Sequence, residues 1–123
     1  MAPLHIEKLA NAFITDARPS NALSSAMKNT LQRGLKKHGG LWVGGKVVIN
    51  STGLSFMPNG MNMVLHENLK AIYIPLDSIR NTKLSFGWLT SIVIVEHNQG
   101  IFRFRCFGAK RVVESLALHV AKD

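Results

Sequence analysis

The sequence predicts an α+β domain that is mainly β: an antiparallel sheet with helices at both ends of the chain. Three observations predict it. From Leu41 onward, turn residues recur roughly every 8 to 12 positions. β-Branched residues gather between those turns, and helical periodicity is confined to the two termini. With 123 residues, 46% hydrophobic and 18% charged, the chain has the size and composition of one structural unit around one core.

In order along the chain, Ile6, Leu9, Ala10 and Phe13 fall at i, i+3, i+4 and i+7 just after Pro3, which predicts a short amphipathic helix over residues 4–14. Pro19 breaks the chain, and Ser20 and Asn21 offer caps for a second helix. Leu23, Met27, Leu31 and Leu35 form its apolar face, and Gly39-Gly40 ends it near Lys37. Strands are expected near 41–50, 53–58, 70–75, 79–86, 91–97 and 100–107. Asn98-Gln99-Gly100 turns the last two into a hairpin in which Gly100 can take a positive φ. Beyond the turn, Phe102, Phe104 and Cys106 alternate with Arg103 and Arg105, so one face belongs to the core and the other to solvent. Val113, Leu116, Ala117 and Val120 then mark a closing amphipathic helix. By this reading residues 1–38 form an N-terminal helical extension and residues 39–123 the β-rich domain.

"GLWVGGKV", Gly40 to Val47, comes close to a nucleotide-binding phosphate loop. Such a loop needs a buried strand before it, a helix after it, and a hydroxyl for magnesium. Here a basic helix end precedes the stretch, a strand follows it, and Val47 stands in the hydroxyl position. The glycines therefore serve the backbone where the first β strand begins. No paired histidine spacing, thiolate set or nucleophile elbow is present, so the sequence predicts neither a metal site, nor a cofactor, nor catalysis. Cys106 is in phase with Phe102 and Phe104 and reads as a small core residue.

Fifteen basic residues against seven acidic ones give a formal charge of +8, which favours a polyanionic partner. The excess is +5 in residues 1–50 and +3 in residues 51–123. Lys36, Lys37 and Lys46 lie where helix passes into strand, and with Arg103 and Arg105 they are the candidate contacts to an anion or lipid. Phe86, Trp88 and Leu89 around Gly87 are the candidate apolar interface. Nucleic acid is the next partner to consider, although Phe102 and Phe104 fall opposite the arginines and leave no stacking platform beside them. Self-association is a third possibility, through sheet edges or apolar helix faces. Apolar runs far shorter than the roughly 20 residues of a membrane span, charges at Glu7 and Lys8, and a single cysteine together predict a cytosolic protein without a signal peptide.

In combination, "VGGKVVINSTGLSFMPNG", "IYIPLDSIRNTKL" and "IVIVEHNQGIFRFRCF" followed by a helix resemble the GRAM-type branch of the pleckstrin-homology-like (PH-like) superfold. Leu54 and Phe56, Ile74-Pro75-Leu76 with Ile79, and Gly100 with Phe104 match its pattern, over roughly residues 40 to 121. The resemblance implies a bent, partly open antiparallel β barrel capped by the C-terminal helix, with the two N-terminal helices as an addition. It also implies a noncatalytic module that binds membrane lipids, often phosphoinositides, or other proteins, peripherally at membranes in the lipid case. One superfold serves many partners.

Overall fold

Residues 5–14 form a strand, not the helix their periodicity suggests. The computed structural model describes residues 4–15, 18–19, 25–60, 66–67, 71–87 and 90–120. The elements are β1 (His5–Ile14), β2 (Arg18–Pro19), α1 (Ser25–His38), β3 (Leu41–Asn50), β4 (Gly53–Pro58), β5 (His66–Glu67), β6 (Ile72–Pro75), a 3-10 turn (Leu76–Ser78), β7 (Ile79–Ser85), β8 (Ile92–His97), β9 (Gly100–Arg105) and α2 (Ala109–His119). One seven-stranded antiparallel sheet runs in the order β6-β4-β3-β1-β9-β8-β7, and β2 pairs with β5 separately.

β1 therefore lies in the middle of the sheet. It pairs with β3 along its full length, from His5 opposite Asn50 to Ile14 opposite Leu41. An isolated ten-residue helix is marginal in water, whereas β3 offers ten residues of backbone to pair with and a core to cover. Burial accordingly follows period two: Leu4, Ala10, Ala12 and Ile14 are buried with Ile6 packed beside them, while Leu9, on the supposed helical stripe, is exposed. Of the two expected N-terminal helices only the second forms. It runs from Ser25 to His38, ends on Gly39 at φ +78°, and carries Met27 half out in solvent. Leu23 lies outside the described residues, as do the side chains of Leu31 and Leu35.

The remaining strands fall close to their expected places. Leu41–Asn50 and Gly53–Pro58 match to the residue, and the others differ by one or two residues at an end. Between β3 and β4 the Asn50 Oδ1 accepts the Thr52 amide at 2.9 Å, the Thr52 hydroxyl at 2.6 Å and the Gly53 amide at 3.3 Å, which fixes the turn. The Thr52 carbonyl in turn accepts the Tyr73 hydroxyl at 2.8 Å and the Leu76 amide at 2.9 Å, tying β6 to that turn. Gly100 takes φ +140° in the β8–β9 hairpin, where His97 stands opposite it.

The sheet is open, with β6 and β7 as its two edges. It is nevertheless strongly curved. Phe56 on β4 and Phe102 on β9 are three inter-strand spacings apart, roughly 14 Å in a flat sheet, yet their ring centroids are 6.1 Å apart. Gly45 makes part of that curvature possible: a Cβ there would overlap the Met57 carbonyl oxygen and come within 2.9 Å of the Phe56 ring. The concave side holds the core, where Val43, Val47, Ile49, Leu54, Phe56 and Phe104 are fully buried. α2 follows Gly108, which has φ +72°, and packs on β7 and β8, adding Val112 and Leu116 to the core.

Candidate functional site

The convex face of the sheet carries the residues that alternation sends outward. Phe13 on β1 and Trp42 on β3 are cross-strand partners with ring centroids 5.2 Å apart. Arg105, on the far side of β1 from β3, reaches over Trp42 and stacks its guanidinium carbon 3.9 Å from the ring centroid. A stacked guanidinium keeps its charge and loses little further freedom when it binds an anion. Arg105 takes part in no ion pair among the described residues, and its Nε is buried without a hydrogen-bond partner.

β1 and β9 pair only at Asn11–Arg105 and Ala12–Phe104. Beyond these pairs the two strands part, and a cleft of about 370 Å³ opens between them. Leu9, Asn11, Asn59, Thr90, Arg105 and Phe107 are among its lining residues. Leu9 is 81% exposed, Phe107 80% and Phe86 86%. They share one end of the sheet, because Ser85 pairs with Ile92, Ile92 pairs with Arg105, Arg105 pairs with Asn11, and Thr90 lines the cleft wall. Met57, also exposed, is the cross-strand partner of Lys46, which is itself opposite Leu9.

Cations also gather at the junction of β9 and α2, close after Phe107. The Lys8 ammonium lies against Gly108, 3.1 Å from where a Cβ would stand. Lys110 and Arg111 are exposed in the first turn of α2, which holds no acidic residue. That placement sets positive charge at the positive end of the helix dipole, an arrangement an external anion would relieve. Burial pushes the thiol pKa of neighbouring Cys106 up, and the Lys8 charge pulls it the other way by a smaller amount. Cys106 is buried, as its alternation with the phenylalanines implied.

The structure describes the side chains of four of the five cations singled out from sequence. Lys36 is exposed in the last turn of α1, and the Lys37 side chain lies outside the described part of the structure. Lys46 points outward from β3, but the Glu7 carboxylate sits 3.6 Å from its ammonium and offsets its charge. Arg103 is exposed on β9 two residues before Arg105, on the same face. Of the apolar trio, Phe86 is exposed as expected, and Trp88 and Leu89 lie outside the described residues.

Leu9, Lys8, Phe107 and Lys110 were not singled out from the sequence. The misread helix concealed Leu9 and Lys8. A signal for the other two was present, since an apolar residue, a glycine and two cations at a helix start are unusual company. Among the described residues no three metal-binding side chains come together, and no helix is long and apolar enough to cross a membrane. Compared with known proteins, the chain matches no family model and no curated protein.

Proposed function

We propose that the chain is a noncatalytic PH-like module of GRAM type that docks peripherally on anionic membrane surfaces. The observation that carries this reading is the exposure of Leu9, Phe86 and Phe107 at one end of the sheet, with Arg105 lining the same cleft as Leu9 and Phe107, and with Lys110 and Arg111 exposed close after Phe107 in the chain. Large side chains left this exposed among cations suit an interface that is apolar within and anionic at its surface. Each cation near such a surface contributes about 1 kcal/mol, and each inserted apolar side chain about 1.5–3 kcal/mol. Together these terms give reversible docking without a membrane-spanning segment.

The curved antiparallel sheet covered by a C-terminal helix supports the PH-like reading of the fold. Strand-to-strand self-association has less in its favour, because β7 carries Arg80 and Lys83 along its edge and β6 is short and ends in Pro75.

Vesicle sedimentation at physiological salt tests the proposal. Phosphatidylcholine vesicles should leave the protein in the supernatant, and vesicles containing phosphatidylserine or phosphatidic acid should pellet it. Phe107→Ser and Lys110→Gln should each weaken that binding several-fold. Equal solubility with neutral and acidic vesicles would rule out membrane docking and favour a protein partner.

A further inference from the structure

We propose that the outward face of β3, β1 and β9 binds single-stranded nucleic acid, with bases stacking on the Phe13–Trp42–Arg105 group. This goes beyond membrane docking and does not rest on it. The arginines of β9 have no stacking platform on their own strand, because Phe102 and Phe104 are buried in the core. The sheet order supplies one from two other strands: Phe13 and Trp42 stand opposite each other on the same face as Arg105, with ring centroids 5.2 Å apart. The Arg105 guanidinium, its carbon 3.9 Å from the Trp42 ring centroid, adds a second flat layer. Aromatic rings and guanidinium planes are the surfaces on which unpaired bases stack, and every base has a π face to offer.

Charge and shape select this partner. Arg103 and Arg105 point outward from β9 two residues apart, about 7 Å, and neither has a carboxylate partner among the described residues. Lys46 and Lys83, on the same side of the sheet, are by contrast paired with Glu7 and Glu96. Two unpaired arginines beside a flat aromatic group, on a chain of net charge +8, match a polymer that carries both phosphates and planar rings. Asn11 is exposed between Gly44 and Arg105 in one cross-strand row, and an asparagine amide both donates to and accepts from a base edge. Phe13 and Trp42 are half-buried, so they form part of the sheet surface and do not project from it as Leu9, Phe86 and Phe107 do. A base can lie on such a surface, whereas a membrane gains little from it. A duplex keeps its bases stacked on one another and would meet only the charges.

The test uses the full chain carrying Trp88→Phe, which leaves Trp42 as its only indole, and a single-stranded oligothymidylate of about ten nucleotides. The oligonucleotide should quench Trp42 fluorescence saturably, and duplex DNA of the same length should bind at least about tenfold more weakly. Phe13→Leu keeps the apolar bulk and loses the ring; it should weaken oligothymidylate binding about tenfold and leave binding to acidic vesicles within about twofold. Arg105→Lys keeps the charge and loses the plane, and should weaken oligothymidylate binding about fivefold without changing its salt dependence. Arg103→Gln, at an exposed position the core does not use, should instead lower the slope of log affinity against log salt by about 0.7.

The inference is overturned if oligothymidylate gives no saturable quenching, if folded Phe13→Leu and Arg105→Lys bind it as tightly as the parent, or if the salt slope is unchanged in Arg103→Gln. Equal affinity for duplex DNA would leave charge as the sole attraction and overturn it as well. Quenching of Trp42 by acidic vesicles but not by oligothymidylate would assign this face to the membrane. Should oligothymidylate bind as expected while acidic vesicles leave the protein in the supernatant, the nucleic-acid face stands and docking falls.

Discussion

Replacing Gly45 with alanine tests the account of how this sheet curves. The added methyl would overlap the Met57 carbonyl oxygen and press within 2.9 Å of Phe56 ring carbons that are fully buried. Either β4 moves away, straining the ladder around the Gly45–Pro58 pair and the Asn59 amide bond to the Gly44 carbonyl at 3.0 Å, or Phe56 is driven into the core. A lost ladder bond costs about 1 kcal/mol, and overpacking of this kind about 1–3 kcal/mol. Against this, alanine restricts the unfolded chain and returns about 0.4–1 kcal/mol. With the strain shared between the two routes, the net expectation for Gly45→Ala is a loss of about 1–3.5 kcal/mol. Urea unfolding followed by circular dichroism should show the midpoint falling by about 1–2 M with an unchanged slope. Gly60→Ala is the control: a Cβ there meets no atom within 4 Å, and its change should stay within about 0.5 kcal/mol. If both variants melt alike, close approach at Gly45 is not what requires a glycine, and the reading of "GLWVGGKV" as a structural bend fails.

Other perturbations have equally definite outcomes. Asn50→Ala removes the acceptor shared by the Thr52 amide, the Thr52 hydroxyl and the Gly53 amide, and should cost about 1–2 kcal/mol in the same unfolding assay; a loss below about 0.3 kcal/mol would contradict the turn described. Glu96 has its pKa lowered, chiefly by the hydrogen bond from Lys83, whose ammonium is 2.8 Å from the carboxylate. Stability from that pair is present above the unfolded glutamate pKa and is lost as pH falls through the lowered folded value, so the parent and Lys83→Met should converge in acid. Carboxyl NMR should show Glu96 moving up toward the ordinary range in Lys83→Met, and no movement would refute the pairing. Lys110→Gln should weaken binding to acidic vesicles about fivefold, whereas the double change Glu7→Gln with Lys46→Gln removes a pair of no net charge and should alter it less than twofold; equal effects would mean that Glu7 does not offset Lys46 toward the membrane.

Most of the sheet was legible from residue pattern, and the reasons are local. β3, β4, β8 and β9 combine β-branched or aromatic residues with turn residues at their ends, and the outward direction of Arg103 and Arg105 follows from alternation alone. β1 was not legible in the same way. Its Glu, Lys, Leu and Ala favour a helix, and the period-two set of Leu4, Ile6, Ala10, Ala12 and Ile14 is interrupted by Lys8. The decision between the two states lay with β3, some thirty residues further along the chain, and with the core the two strands cover together. β2 and β5 are two residues each, too short to leave a periodic trace.

The candidate site was legible residue by residue but not as an arrangement. That Arg105 points outward could be read from its strand. That Trp42 lies beneath it depends on the register of two strand pairs and the order β3-β1-β9, none of which the sequence states. Lys46 could be named as an outward cation, yet its neutralisation by Glu7 requires β1 to be a strand placed beside it.

The position of β1 also bears on how the molecule is assembled in time. The strands β6-β4-β3-β1 form one block whose last strand ends at Pro75, and β9-β8-β7 form another that is complete only at Arg105. Among the described residues the only ladder between the blocks joins Asn11 and Ala12 to Arg105 and Phe104, about three quarters of the chain apart, and contacts of such separation close late in folding. Each block can pair internally before this seam is made. The seam is also where the strands diverge into the Arg105 cleft, so a molecule bound there would touch both blocks at their narrowest junction and act as a clasp on the last step of folding.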